Sequence, residues 1–170
     1  GDESAFPNDK YQLVIDATRF ADNRGFSAVW TPERHFHRFG GLYPNPAVLG
    51  AALAAITKTI KIRAGSVIAP LQSPVRITEE WALVDNLSRG RVAIAFATGF
   101  HPVDFMLSPE KFSERANLTI EVVEAVRRYA ACIPDARVIV LDGDSYHIAA
   151  VAPDLCARHA LAFIAQVSAG

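Results

Sequence analysis

The chain has 170 residues, 51% of them apolar and 21% charged, which is material for one globular domain with a core of its own. Seventeen basic residues against 18 acidic ones leave a net charge of −1, so composition offers no nucleic-acid footprint and no charged tail. There is no apolar run of about 18 residues that could span a membrane, and the opening Gly-Asp-Glu-Ser does not read as a signal peptide, so a soluble cytoplasmic protein is expected.

In chain order, Asn8 or Asp9 is placed to cap a first helix with Tyr11, Val14, Ala17, Phe20 and Ala21 on one face, and Gly25 to end it. Phe26–Thr31 reads as a short strand stopped by Pro32. Asn45-Pro46 is a cap followed by a first-turn proline, opening an alanine-rich helix to about Thr57. Ile60–Ala69 is β-branched and alternating, a second strand. Pro74 begins a helix that Ser88-Arg-Gly90 closes, and Arg91–Thr98 is a third strand. A long helix is expected from Phe112 to Tyr129. Beyond it the pattern weakens: Val138–Leu141 reads as a short strand, Asp142-Gly-Asp144 as a turn and Leu161–Ala165 as a buried strand. Cys132 and Cys156 lie far apart without a CxxC or Cys/His pattern, so reduced thiols and no metal site are expected. Strands alternating with helices mean an α/β fold on a parallel sheet. Periodicity leaves open a five-stranded flavodoxin-like sheet and a (β/α)8 barrel, the latter normally needing about 250 residues.

The segment Trp30-Thr-Pro-Glu-Arg-His-Phe-His-Arg-Phe-Gly-Gly-Leu-Tyr-Pro-Asn-Pro46 concentrates two histidines, two arginines and a carboxylate just after a strand. The C-terminal ends of strands are where α/β folds carry chemistry. Trp30, Phe36, Phe39 and Tyr43 either wall an apolar pocket or belong to the core. Asp85 and Arg91 read as structural links between helix and strand, and Asp104 as a pocket residue or a cap.

This segment resembles the signature loop of the bacterial luciferase-like flavin-dependent monooxygenases. The resemblance continues through Ala64-Gly-Ser-Val-Ile-Ala-Pro70, Pro74-Val-Arg76, Glu80-Trp-Ala-Leu-Val-Asp-Asn-Leu-Ser-Arg-Gly-Arg91, Gly99-Phe-His-Pro-Val-Asp-Phe105 and Ser113-Glu-Arg115. It covers residues 2–129 densely and 130–170 weakly, within what is read as a single domain. The wording WTPERHFH…GGLYPNP is similar to that of the subgroup serving polyketide and nonribosomal peptide assembly lines.

The resemblance implies a luciferase-like (β/α)8 TIM barrel with FMN at its C-terminal mouth. The flavin would arrive reduced from a separate flavin reductase, with O2 as co-substrate. The reaction would be hydroxylation or Baeyer–Villiger insertion on a biosynthetic intermediate, one held on an acyl or peptidyl carrier protein included, in a homodimer. The chain starts just after the family's first strand and stops near its fifth, so it is expected to be a partial barrel belonging to a longer polypeptide. Completion by a second chain or a reduced fold are the alternatives.

The resemblance also assigns residues. His35 is the candidate proton carrier, or else only a loop hydrogen-bonder, with His37 and Arg34 beside it as further catalytic candidates. Glu33 is read as a structural partner of Arg34 or of a neighbouring loop. Ala64, Gly65 and Ser66 fall where the family has a non-proline cis peptide and bulge beneath the flavin. Thr98, Arg115 and Ser168 fall at the flavin phosphate. Three positions depart from the light-emitting luciferases: Arg34 replaces a histidine, Ala97 a reactive cysteine and Thr98 a phosphate-binding arginine. Light emission is therefore not expected, since an arginine cannot act as a base. A deazaflavin-dependent oxidoreductase and a non-catalytic flavin-binding or degenerate partial barrel are the competing functions.

Overall fold

Each described strand is followed by a helix, and Asn45-Pro46 and Pro74 set where two of these helices begin. The structure is a computed structural model describing residues 10–38 and 42–132, with the isolated positions 154, 158 and 162. It contains α1 (Gln12–Asn23), β1 (Ala28–Thr31), α2 (Pro46–Ile56), β2 (Lys61–Ile68), α3 (Pro74–Ser88), β3 (Val92–Ala97) and α4 (Glu110–Ala130). Two short 3-10 turns, Ala69–Leu71 and Pro102–Phe105, follow β2 and β3. The chain divides into two compact units, residues 1–129 and 130–170, and the first holds the whole described sheet.

Asn45 caps α2 as its sequence position implies: Oδ1 accepts from the N–H of Ala47 (2.9 Å) and of Val48 (3.1 Å). The C-terminus of α3 closes through Arg89 in the left-handed region, with Gly90 donating back to Asp85 O at 3.0 Å. The three strands are parallel in the order β1-β2-β3. Ala28 pairs with Lys61 and Thr31 with Ala64, while β2 meets β3 from Ile62–Val92 to Ile68–Ala97. The register slips between Gly65 and Val67, a bulge, at the cis peptide Gly65–Ser66. Both features fall in the Ala64-Gly65-Ser66 segment to which the family resemblance assigns them.

Helices α2 and α3 cover one face of the sheet. Ile62, Ala64 and Val67 of β2 pack there against Leu53, Ala54, Ile77, Trp81 and Val84, and Val126 of α4 joins the cluster. Because side chains alternate along a strand, Arg63 and Gly65 lie on the other face. There Trp30 pairs with Arg63, whose guanidinium lies 5.7 Å from the indole centroid.

Several expectations are corrected. The N-cap of α1 is Tyr11, which makes no side-chain cap bond; its hydroxyl donates to Leu42 O at 2.6 Å. Asn8 and Asp9 lie outside the described residues. The buried side of α1 centres on Thr18, with Val14 and Ala21 half-buried, whereas Phe20 is exposed under the Arg24 guanidinium. Trp30 and Phe36 are not core residues: they are 57% and 56% exposed. The strands are one to two residues shorter at each trimmed end than expected. At Ala162, inside the expected strand Leu161–Ala165, the chain is helical. Val138–Leu141, Asp142–Asp144, Phe39, Cys156 and Ser168 lie outside the described residues.

The N-terminal ends of the strands carry two polar fastenings, Asp22 and Arg91. Asp22, at the end of α1, accepts from the N–H of Lys58, Thr59 and Ile60 at 2.7–2.8 Å and from the Thr59 hydroxyl at 2.8 Å. Burial acts to raise its pKa, yet these hydrogen bonds outweigh it and hold the carboxyl well below the usual carboxylate range. A lowered folded pKa means stability that is present above the ordinary carboxylate value of about 3.9 and lost as pH falls below it. Asp22→Asn should therefore lower the urea midpoint at neutral pH and flatten its fall between about pH 5 and 3; an unchanged acid limb would show that Asp22 does not carry it.

Gly99 fixes the exit from β3. Its φ is +76°, and a Cβ there would lie 2.7 Å from Phe105 Cε2 and 2.9 Å from Ile68 Cγ2, both on buried side chains. Gly99→Ala combines backbone strain with overpacking and should cost about 2–4 kcal/mol, read by chemical denaturation.

Candidate active site

The C-terminal ends of β1 and β2 meet at Glu33. This residue follows β1 by two positions, and its side chain is fully buried. Glu33 Oε2 accepts from the N–H of Ile68 in β2 at 2.8 Å, and Oε1 accepts from Gln72 Nε2 at 2.6 Å and from His35 Nε2 at 2.8 Å. A carboxylate only accepts here, so His35 donates through Nε2, and the neutral ring keeps its lone pair on Nδ1. Residues i and i+2 of an extended chain share a side, which is how Glu33 reaches His35.

The backbone of His35 is held as well. Its N–H donates at 2.9 Å to Oδ1 of Asp104, a buried residue in the turn after β3. The hydrogen bond to Glu33 raises the His35 pKa; burial works against this, and the charges of Glu33 and Asp104 add to it. The result is a half-buried imidazole that keeps its proton above the ordinary histidine range, fixed by a carboxylate in the manner of an acid–base dyad.

Around this dyad lie the other loop groups. Arg34 donates its backbone N–H to Tyr43 O at 3.0 Å, and its guanidinium lies 5.1 Å from the ring of Phe100. Glu33 thus pairs with His35 and β2, not with Arg34. His37 meets His101 edge-on with centroids 4.9 Å apart. Tyr43 packs edge-on against Tyr11 of α1 at 6.0 Å.

The cofactor-side candidates divide. Gly65 is exposed on the face shared with Trp30, and a Cβ at Gly65 would lie 2.5 Å from Trp30 Cε3, so glycine is required for the indole to lie across the strand. Ala64 is buried toward the helices and Ser66 is half-buried at the bulge. Thr98 is half-buried at the end of β3. Arg115 turns back on its own helix, donating to Phe112 O at 2.6 Å with its guanidinium 4.1 Å from the Phe112 ring. It is not brought together with Thr98 by any described hydrogen bond. Among the described residues, no group of three His, Cys, Asp or Glu side chains is placed to hold a metal.

The family description "Luciferase-like monooxygenase" matches residues 2–160. The chain belongs to this family. The luciferase-like chain is 35% identical over 95 residues to the oxygenase component of a flavin-dependent trigonelline monooxygenase from Acinetobacter baylyi, covering 56% of itself and 26% of that protein. It is 37% identical over 92 residues to an alkanal monooxygenase alpha chain of Photorhabdus luminescens, covering 54% of itself and 25% of that protein. Among solved structures it resembles the monooxygenase RslO1 from Streptomyces bottropensis, with TM-score 0.69 and 31% identity over 81% of this chain and 40% of that one. It shares its fold with the oxygenating constituent of 3,6-diketocamphane monooxygenase from Pseudomonas putida, at TM-score 0.66 and 18% identity over 80% of this chain and 37% of that one. The luciferase-like chain thus spans about a quarter of the curated relatives and two fifths of these structures, and its three-stranded sheet is part of their TIM-barrel type fold. No helix among its described residues is long and apolar enough to cross a membrane.

His35 and the bulge segment, conspicuous in the sequence, lie at the C-terminal ends of the strands. Glu33 as the residue that orients His35, Asp104 as its backbone anchor, and His101 are not apparent from the sequence. The Glu-x-His spacing after a strand is the signal that finds Glu33. Asp104 and His101 come together with the first loop only through the sheet order, which sequence spacing does not show.

Proposed function

We propose that this chain contributes the flavin-side half of a two-component monooxygenase that uses reduced FMN and O2 to oxidise a biosynthetic intermediate. The observation that carries this reading is the Glu33–His35 dyad, held at 2.8 Å and anchored to β2 and to Asp104 at the C-terminal end of the sheet.

The exposed surface of Trp30 and Gly65 suits a flat heteroaromatic ring, since Gly65 leaves the strand without a side chain where the indole crosses it. Trp30, Gly65 and Ser66 would hold the ring, with Thr98 toward the phosphate; Arg115 would first have to leave the Phe112 carbonyl. Bound reduced flavin supplies the electrons that activate oxygen. His35 Nδ1 takes or returns a proton at the reacting oxygen while Nε2 stays bonded to Glu33. Glu33 fixes the ring orientation and favours the imidazolium. Arg34 supplies fixed positive charge and no base. With Ala97 and Thr98 beside it, this argues for a dark, biosynthetic reaction over light emission. His37 lines the same loop, paired with His101.

The trigonelline relative is named as an oxygenase component, which supports a separate flavin reductase as partner. An acyl or peptidyl carrier protein holding the substrate, a homodimeric state and a cytoplasmic location complete the reading; the subgroup wording of the first loop supports the carrier protein, and the composition supports the location. The test is to titrate the protein with reduced and oxidised FMN and to follow oxygen uptake with a flavin reductase and NADH present. Flavin binding in the micromolar range with substrate-dependent uptake is expected. A folded protein that binds no FMN would overturn the proposal, and preference for a deazaflavin would redirect it within the family.

A further inference from the structure

His101 lies outside every assignment above, yet two separate links join it to the loop that carries His35. The first is a ring contact: the imidazoles of His37 and His101 meet edge-on at 4.9 Å. The second runs through the backbone. His101 Nδ1 accepts the N–H of Val103 at 3.3 Å, a side-chain cap on the turn Pro102–Phe105. That turn carries Asp104, whose Oδ1 accepts the His35 N–H at 2.9 Å.

We infer that His101 is a positioning residue for His35: its neutral ring, with the lone pair on Nδ1, sets the turn that presents Asp104 to the His35 backbone. This rests on the proposed acid–base role of His35. Nδ1 is an acceptor in this geometry, so the neutral ring carries its hydrogen on Nε2. The charged and titratable groups that face His101 are His37 and, across the Phe100 ring, Arg34, both from the first loop. Asp104 lies within its own turn, with His35 beyond it. Asp104 also contributes to holding the proton on His35, so a turn that drifts changes the His35 titration as well as its position.

The experiment uses the full chain and three variants, with two readouts. By NMR, the His35 Cε1–H titration midpoint is compared in wild type, His101→Ala, His101→Asn and His101→Phe. Asparagine restores a cap acceptor without a titrating ring, whereas phenylalanine keeps the ring against His37 without an acceptor. The midpoint should fall in His101→Ala and His101→Phe and return toward wild type in His101→Asn. If His101→Ala does not fold, the phenylalanine and asparagine pair decides alone. In flavin-dependent turnover, kcat should drop by about tenfold in the alanine and phenylalanine variants with KM little changed, a displacement effect, and recover in His101→Asn. An identical His35 midpoint in all four proteins would overturn the inference. Midpoints that move as described in a protein without oxygenase activity would leave the positioning role standing and refute only the proposed reaction.

Discussion

Replacing His35 with alanine should lower substrate oxygenation by about 10²–10⁴-fold while leaving FMN affinity nearly unchanged, because what is removed is a proton carrier and not a flavin contact. The partner variant Glu33→Gln tests the mechanism behind the number. It keeps the shape of the buried side chain, which Ile68 and Gln72 hold in place, but removes the charge that favours the imidazolium. The sign follows from the direction of the His35 shift. Its pKa is raised by Glu33, so in the folded protein the protonated ring persists above the ordinary value of about 6.5. The pair therefore adds stability below that value and loses it as pH rises through the raised one. In Glu33→Gln the basic limb of kcat should move to lower pH, and the unfolding midpoint should lose its decline above neutrality. Stopped-flow kinetics across pH 6–9 measures the first effect. A His35→Ala protein that turns over at the wild-type rate would remove His35 from the reaction altogether.

Replacing Arg91 with alanine should destabilise the fold by about 3 kcal/mol or more, the second large effect expected. The Arg91 guanidinium donates to Ser88 O at 2.6 Å, to Ile60 O at 2.6 Å, to the Thr57 hydroxyl at 3.0 Å, to Thr57 O at 3.1 Å and to Ala54 O at 3.3 Å. It thus satisfies the last carbonyls of α2, the residue before β2 and the end of α3 at once. Truncation leaves these acceptors partly buried without a donor, and unmet acceptors cost more than the bonds contribute on average. Arg91→Lys should recover only part of the loss, since one ammonium cannot reach carbonyls spread over this fork. Urea unfolding followed by circular dichroism gives both values; a midpoint shift within error for the alanine variant would show that water replaces the guanidinium at no cost.

The elements most legible in the sequence are those with chemical punctuation. Asn45-Pro46, Pro74 and Ser88-Arg-Gly90 mark ends of α2 and α3 to within a residue, and the third strand follows at once. Arg91 and Asp85 read as structural, and the chain bears this out: Arg91 joins α2, β2 and α3, while Asp85 accepts from Val92 at the start of β3. Less legible is α1, where helical spacing nominates Phe20 but burial selects Thr18. Spacing reports an apolar stripe and not what covers it. In the site, His35 stands out because a histidine in a post-strand loop is conspicuous. Glu33 does not, because its partners Ile68 and Gln72 are thirty-five or more positions away. Asp104 and His101 reach the first loop from beyond β3, a meeting decided by parallel strand order alone.

The two polar fastenings, Asp22 and Arg91, lie where the strands begin, whereas Glu33, His35, His101 and Asp104 lie where the strands finish. Damage at one end need not spread to the other. A laboratory altering this chain can therefore randomise exposed rim positions such as Phe36 and Phe100 to seek new substrates, and expect most library members to survive purification.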